Sequence, residues 1–175
     1  AENGDPTPGD LLTRMRKSIY DDMVSDPQVL RDNRWPHTIR LLEAAKEWSC
    51  RTALATMSHR TEALHVLRSL DLEQSLDAVL AREDVRRPKP DPEIYLLAAE
   101  RLETPPGECL VIENSPAGVR AGAAAGMTVI AMATPFTAMG LHSGDGIAHE
   151  WIVHSPEELM SAVARRVEEH NRTAH

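Results

Sequence analysis

The stretch that most constrains this chain is residues 108–127, ECLVIENSPAGVRAGAAAGM. Cys109 to Ile112 is a short apolar run, long enough for a fully buried strand. It ends abruptly in Glu113 and Asn114, and Ser115-Pro116 then has the form of a helix start. A side-chain acceptor stands ready for the N-cap, and a proline takes the first helical position, where no amide hydrogen is needed. Small residues from Ala117 to Ala125 predict a helix that stops at Gly126, and Thr128 to Met132 predicts the next strand. The segment reads as strand, polar tip, helix, strand: one βαβ unit. Ligands of open α/β sheets bind outside the carboxyl ends of the strands, where this polar tip falls.

The same alternation runs through most of the chain. Leu11, Leu12, Met15, Ile19, Met23 and Val24 recur at helical spacing and predict an amphipathic helix over 10–24, after a polar lead-in at 1–9. Residues 25–36 read as a linker, and Thr38 to Trp48 as a second helix. Residues 51–56 and 76–80 are short strand candidates, separated by a helix that Ser58 could cap. Asp91-Pro92 starts a helix carrying Ile94, Leu97, Ala98 and Leu102. After the central unit come a long loop at 133–146, a last short strand at 151–153, and a terminal helix begun by the capping-box pattern Ser155-Pro-Glu-Glu158 and ending near Glu169. Helices alternating with short apolar strands from about residue 38 onward predict a doubly wound α/β domain with a mostly parallel sheet. The helix at 10–24 stands outside that alternation.

A length of 175 residues with 42% hydrophobic residues suits one domain with a real core, and 3% aromatics leaves that core to Leu, Val, Ile, Ala and Met. A net charge of −8 argues against nucleic acid as a partner. Cys50 and Cys109 make no disulfide framework and read as reduced thiols of a cytoplasmic protein. No apolar run approaches the ~18 residues of a membrane span, and the N-terminal AENGDPTPGD lacks the basic and apolar regions of a signal peptide.

Three polar positions fall at strand ends or just before helices. Thr56 closes one strand beside the helix start at Ser58, so a hydroxyl and helix N-terminal amides could together hold a phosphate. Lys89 lies between two prolines, which predicts an extended backbone that aims its ammonium. Glu113 and Asn114 carry oxygen ligands suited to a hard cation such as Mg2+. Alone, each reads as an N-cap, a surface lysine or a solvated turn. A hydroxyl, a lysine and an acidic tip at successive strand ends supply what phosphoryl transfer requires: an anchor, a charge neutraliser and a metal.

These stretches resemble the haloacid dehalogenase superfamily of phosphatases and phosphomutases, in its β-phosphoglucomutase-like branch. ALATMSHR (53–60) is similar to the family's second motif, PKPDPEIYLLAAERL (88–102) to its third, and LVIENSPAGVRAGAAAGM (110–127) to its fourth. The resemblance covers residues 36–160 and implies a Rossmann-like core. It further implies that Thr56, with Ser58 as the lesser candidate, binds the transferring phosphoryl group, that Lys89 neutralises charge between phosphate and nucleophile, and that Glu113 and Asn114 hold Mg2+ directly or through water. Asn114 stands where the family usually has Asp.

The family's first motif is an apolar strand ending in Asp-x-Asp, the nucleophile and the general acid/base. Asp5 and Asp10 follow no apolar run, and Asp21-Asp22 lies within a helical pattern. The resemblance therefore implies that residues 1–35 are a lead-in and partial helical cap, and that residues 36–175 form the core without its first strand. Three arrangements follow: a segment preceding these residues supplies the strand, a second chain supplies it, or the flanking strands close up and pair directly. The expected activity of the intact protein is Mg2+-dependent hydrolysis of a small phosphorylated metabolite through an aspartyl-phosphate, with this chain alone inactive. A sugar phosphomutase and a non-catalytic homologue that binds a phosphorylated ligand are the alternatives. A receiver-type signalling domain would place an acidic pair near the N-terminus and nothing like Glu113-Asn114 after the lysine.

Overall fold

The strands of the computed structural model keep the order and nearly the bounds that the hydrophobic pattern predicts: β1 (Ala53–Ala55), β2 (Ala78–Leu80), β3 (Leu110–Glu113), β4 (Thr128–Met132) and β5 (Ile152–Val153). Residues 22–143 and 147–173 are described, together with Thr7, Gly9, Met15, Ser18 and Tyr20. The helices, numbered in chain order, are α1 (Pro27–Asp32), α2 (Pro36–Glu47), α3 (Arg60–Ser69), α4 (Glu93–Arg101), α5 (Pro116–Ala124), α6 (Ala138–His142) and α7 (Leu159–Thr173). Of the helix expected over 10–24, Met15, Ser18, Tyr20 and residues 22–25 are helical, whereas Leu11, Leu12 and Ile19 lie outside the described residues, as do Asp5, Asp10 and Asp21.

All strand pairs are parallel, but they form two sheets. β1 pairs with β2 in one, and β3, β4 and β5 form the other in that order. Among the described residues β1 and β3 share no ladder, so the arrangement in which the flanking strands pair directly is not the one adopted.

Side-chain parity explains how the larger sheet is wound. On β4, Val129 and Ala131 join the core cluster that contains Ile94, Ala98 and Val119 of α4 and α5. Ile130 and Met132 point the other way, into a cluster with Trp151 and with Leu159, Ala162 and Val163 of α7, against which Leu41 of α2 also packs. β3 follows the same rule, Val111 on the α4/α5 face and Leu110 and Ile112 on the α7 face. Period-two alternation between two apolar faces is what a sheet covered on both sides demands. Continued by one residue, it sends Glu113 toward α4 and α5.

Four departures from the expected elements have local causes. The linker region contains α1, whose start repeats the Ser115-Pro116 device: Asp26 Oδ1 accepts from the Gln28 amide at 2.8 Å and Pro27 takes the first turn. Arg31 Nη1 donates to Ser69 O at 3.2 Å, and His65 Nε2 lies 3.0 Å from Val24 O, so this segment docks on α3. Helix α3 begins at Arg60, so Ser58 is not its N-cap. The loop at 133–146 contains the short helix α6, and α7 follows a 3-10 turn at Pro156–Glu158 and continues to Thr173. Cys50 is exposed and Cys109 partly buried, both as free thiols.

Candidate active site

The polar residues at the strand ends converge. Thr56, Ser58, Lys89, Glu113 and Asn114 all line one cavity of about 640 Å³, together with Trp35, Leu54, Ile112, Met132 and Leu159. Leu54 of β1 and Ile112 of β3 face it from the two sheets, so the cavity lies at the break between them.

Thr56 is the first residue past β1. Its amide donates to Leu80 O at 2.9 Å, extending the β1–β2 ladder, and its Oγ1 accepts from the Ser58 amide at 3.1 Å. The amides at the start of α3 are less available than the sequence suggests: His59 N donates to Glu62 Oε2 at 3.4 Å and Arg60 N to Glu83 Oε2 at 3.1 Å. Any anion here meets the Thr56 hydroxyl rather than a fully open helix N-terminus.

Lys89 sits in a turn closed by the Asp91 amide on Pro88 O at 3.0 Å, not in the extended backbone that its flanking prolines suggest. The turn buries the side chain, and Nζ donates to Glu113 Oε1 at 2.5 Å, to Tyr95 Oη at 2.9 Å and to Ala55 O at 3.1 Å. One ammonium therefore ties the end of β1 to the end of β3. Both charged side chains are only 9% exposed.

Glu113 is held from every side. Its Oε1 also accepts from Tyr95 Oη at 2.7 Å, and its Oε2 accepts from the Asn114 amide at 2.9 Å, the Ser115 amide at 3.1 Å and Ser115 Oγ at 3.1 Å. Ser115 Oγ in turn accepts from the Gly118 amide at 3.0 Å, the N-cap expected at this position. A Cβ at Gly118 would overlap the carboxylate, so the absence of a side chain there lets α5 approach Glu113. Burial alone would raise the Glu113 pKa, but the hydrogen bond and charge of Lys89, aided by Tyr95 and the Ser115 amide, hold it below the usual carboxylate range. Burial, and then the neighbouring Glu113 charge, push the Tyr95 phenol far up, so it remains a neutral donor.

Tyr95 is the residue of this cluster that sequence reasoning missed. It lies in the buried stripe of α4 with Ile94, Ala98 and Ala99, where an aromatic ring reads as packing. The available signal was its hydroxyl, since a buried phenol needs a polar partner.

A family model, "Hydrolase: haloacid dehalogenase-like hydrolase", matches residues 7–126. The chain belongs to this family. The haloacid dehalogenase-like chain is 38% identical over 119 residues to a phosphorylated carbohydrates phosphatase of Thermotoga maritima, covering 67% of this chain and 54% of that one. A haloacid dehalogenase family hydrolase of Deinococcus radiodurans, solved with bound phosphate and sodium, superposes with a TM-score of 0.64 at 27% identity, covering 75% of this chain and 59% of the other. The β-phosphoglucomutase of Clostridium difficile shares the fold at a TM-score of 0.69 and 22% identity, over 96% of this chain and 70% of that one. The chain spans about half of the length of that phosphatase and about a third of two further curated relatives.

The exposed side chain of Asn114 offers an amide oxygen to a hard cation such as Mg2+ at the cavity wall, next to the buried charge of Glu113. Among the described residues no group of three or more His, Cys, Asp or Glu is placed to hold a metal. Asn114 thus fits as one oxygen donor to a cation that keeps waters and takes further oxygens from phosphate, while Glu113, with both oxygens engaged by Lys89, Tyr95, Ser115 and the Asn114 amide, adds negative charge beside it rather than a free ligand oxygen.

Proposed function

We propose that this chain is the core of a Mg2+-dependent phosphatase acting on a small phosphorylated metabolite. The observation that carries the reading is the convergence of Thr56, Ser58, Lys89, Glu113 and Asn114 on one cavity at the break between two parallel sheets. The matched phosphatase and the phosphate-bound hydrolase support the same chemistry.

In this reading the Thr56 hydroxyl donates to a phosphoryl oxygen, with Ser58 beside it. Lys89, anchored on Ala55 O and Glu113, presents fixed positive charge where negative charge develops. Asn114, with the charge of Glu113 beside it, would hold Mg2+ directly or through water, and the ion would supply positive charge to the phosphoryl oxygens. The nucleophile comes from a strand ending in Asp-x-Asp that occupies the break between β1 and β3, supplied by a segment outside these residues or by a second chain. Its first carboxylate displaces the alcohol from phosphorus, the second protonates the leaving oxygen, and water then hydrolyses the aspartyl-phosphate.

A homologue that binds a phosphorylated ligand without turnover is the competing reading. It is favoured by the neutral Asn114 and by the lack of an Asp-x-Asp strand in these 175 residues. Hydrolysis of an aryl phosphate with Mg2+ decides between them, measured on the chain alone and on the chain fused to such a strand. The expected outcome is no turnover by the chain alone, turnover by the fusion, and a loss of at least about a hundredfold on Lys89→Ala, the scale of removing one preorganised electrostatic group. A folded fusion that binds phosphate without hydrolysing it sinks the catalytic reading.

A further inference from the structure

The buried network around Lys89 has no spare capacity. An ammonium has three protons, and Lys89 spends them on Ala55 O, Tyr95 Oη and Glu113 Oε1. Glu113 accepts from five donors, against roughly four lone-pair sites on a carboxylate. Among the described residues Tyr95 Oη is the one group that touches both charges, accepting from Lys89 and donating to Glu113. Its ring also lies under the ammonium, with Nζ 4.6 Å from the centroid.

Packing does not account for this hydroxyl. Tyr95 is buried in the core cluster with Ile94 and Ala98, and phenylalanine would fill the same volume with no polar group to desolvate. We propose that Tyr95 is a positioning residue of the phosphoryl site: its hydroxyl locks the Lys89 ammonium and the Glu113 carboxylate into one geometry across the two sheets. Without it, the ion pair survives but the ammonium is free to turn about the remaining contacts. The proposal rests on the reading of Lys89 as the group that faces phosphate.

The test is Tyr95→Phe in the 175-residue chain, with two readouts. The first is acylation of Lys89 by an amine-reactive reagent, quantified by mass spectrometry against the exposed Lys46. The second is the dissociation constant for inorganic phosphate, with Lys89→Ala as the control that binding occurs at this cavity. Tyr95→Phe is expected to raise relative Lys89 labelling several-fold and weaken phosphate binding by about tenfold, the scale of one hydrogen bond to a charged group. Ile94→Val, a neighbouring core change that keeps the phenol, is expected to move neither. Unchanged labelling in a folded Tyr95→Phe protein overturns the proposal, and so does an equal response in Ile94→Val. A wild type that binds no phosphate, or binds it equally well after Lys89→Ala, refutes the functional reading instead. The labelling contrast then still decides whether Tyr95 holds Lys89.

Discussion

Lys89 and Glu113 show how far one ion pair can couple folding to function. Each would be costly to bury alone, and each satisfies the other at 2.5 Å with both side chains 9% exposed. Removing one partner strands the other, so Glu113→Gln should destabilise the fold by about 3 kcal/mol at neutral pH, read from urea unfolding. The same pair sets an acid limit. Because the folded pKa of Glu113 is depressed, the unfolded chain takes up its proton first as pH falls. The stabilisation is therefore complete above the ordinary glutamate value of about 4.3 and disappears as pH drops through the folded value. Wild type should lose more of its urea midpoint than Glu113→Gln between neutral pH and roughly pH 3.5. Equal losses would mean that the carboxylate draws no net stability from Lys89. Thr56, Lys89, Glu113 and Asn114 were legible in the sequence because each follows a strand or precedes a helix start, where position alone implies exposure to a ligand. Tyr95 was not, because a buried stripe at helical spacing hides which of its members also makes a polar contact.

Four of the helices end in one shared way. Amides five residues on bond back to Ala45, Leu67, Ala99 and Gly122, closing α2, α3, α4 and α5 with the same Schellman turn. Gly126 takes the left-handed position after α5 with φ of 74°, but the corresponding residues after α2, α3 and α4 are Ser49, Asp71 and Glu103, with φ of 57°, 57° and 51°. A side chain there is strained, and among the described residues the Glu103 carboxylate makes an exposed 4.0 Å contact with Arg51. Glu103→Gly should raise stability by about 0.5–1 kcal/mol, measured by thermal melting, and a lower melting temperature would refute that origin. Gly118 works in the opposite direction: Gly118→Ala drives a methyl into the Glu113 carboxylate and should cost about 1–3 kcal/mol and weaken phosphate binding together. Strands and long helices were readable from period and from Ser-Pro or Asp-Pro starts. The same logic should have found α1 at Asp26-Pro27, but six residues with no buried face leave no apolar stripe to see. Helix α6 is shorter still, five residues inside a loop. The strand alternation could not reveal that the sheet is divided, since β1 and β3 look alike whether or not they pair.

At the scale of the whole molecule, the break between β1 and β3 is both a structural burden and the reason a site exists there. β4 is paired on both edges, whereas β1 and β3 each present an edge without a ladder partner among the described residues. Lys89 is the polar strut across that break, since it holds a β1 carbonyl and the β3 terminal carboxylate at once. Three hydrogen bonds from one ammonium cannot replace two strand ladders, so the edges should open more readily than the sheet centre. Hydrogen exchange reads this directly. Val129, Ile130 and Ala131 of β4 should be the slowest amides of the larger sheet. In β1 and β3, where parallel pairing engages one edge only, slow exchange should be confined to alternate residues. Fusing a strand that ends in Asp-x-Asp should slow the remaining amides of both β1 and β3 and raise the urea midpoint, because one insertion satisfies two edges. Protection gained on β3 alone would place the added strand outside the break and separate the sheet from the site. Protection gained on both, with retention of the phosphate site, would tie completion of the sheet to completion of the catalytic apparatus: the carboxylates would arrive at the C-terminal end of the strand that fills the gap, beside Thr56, Lys89 and Glu113.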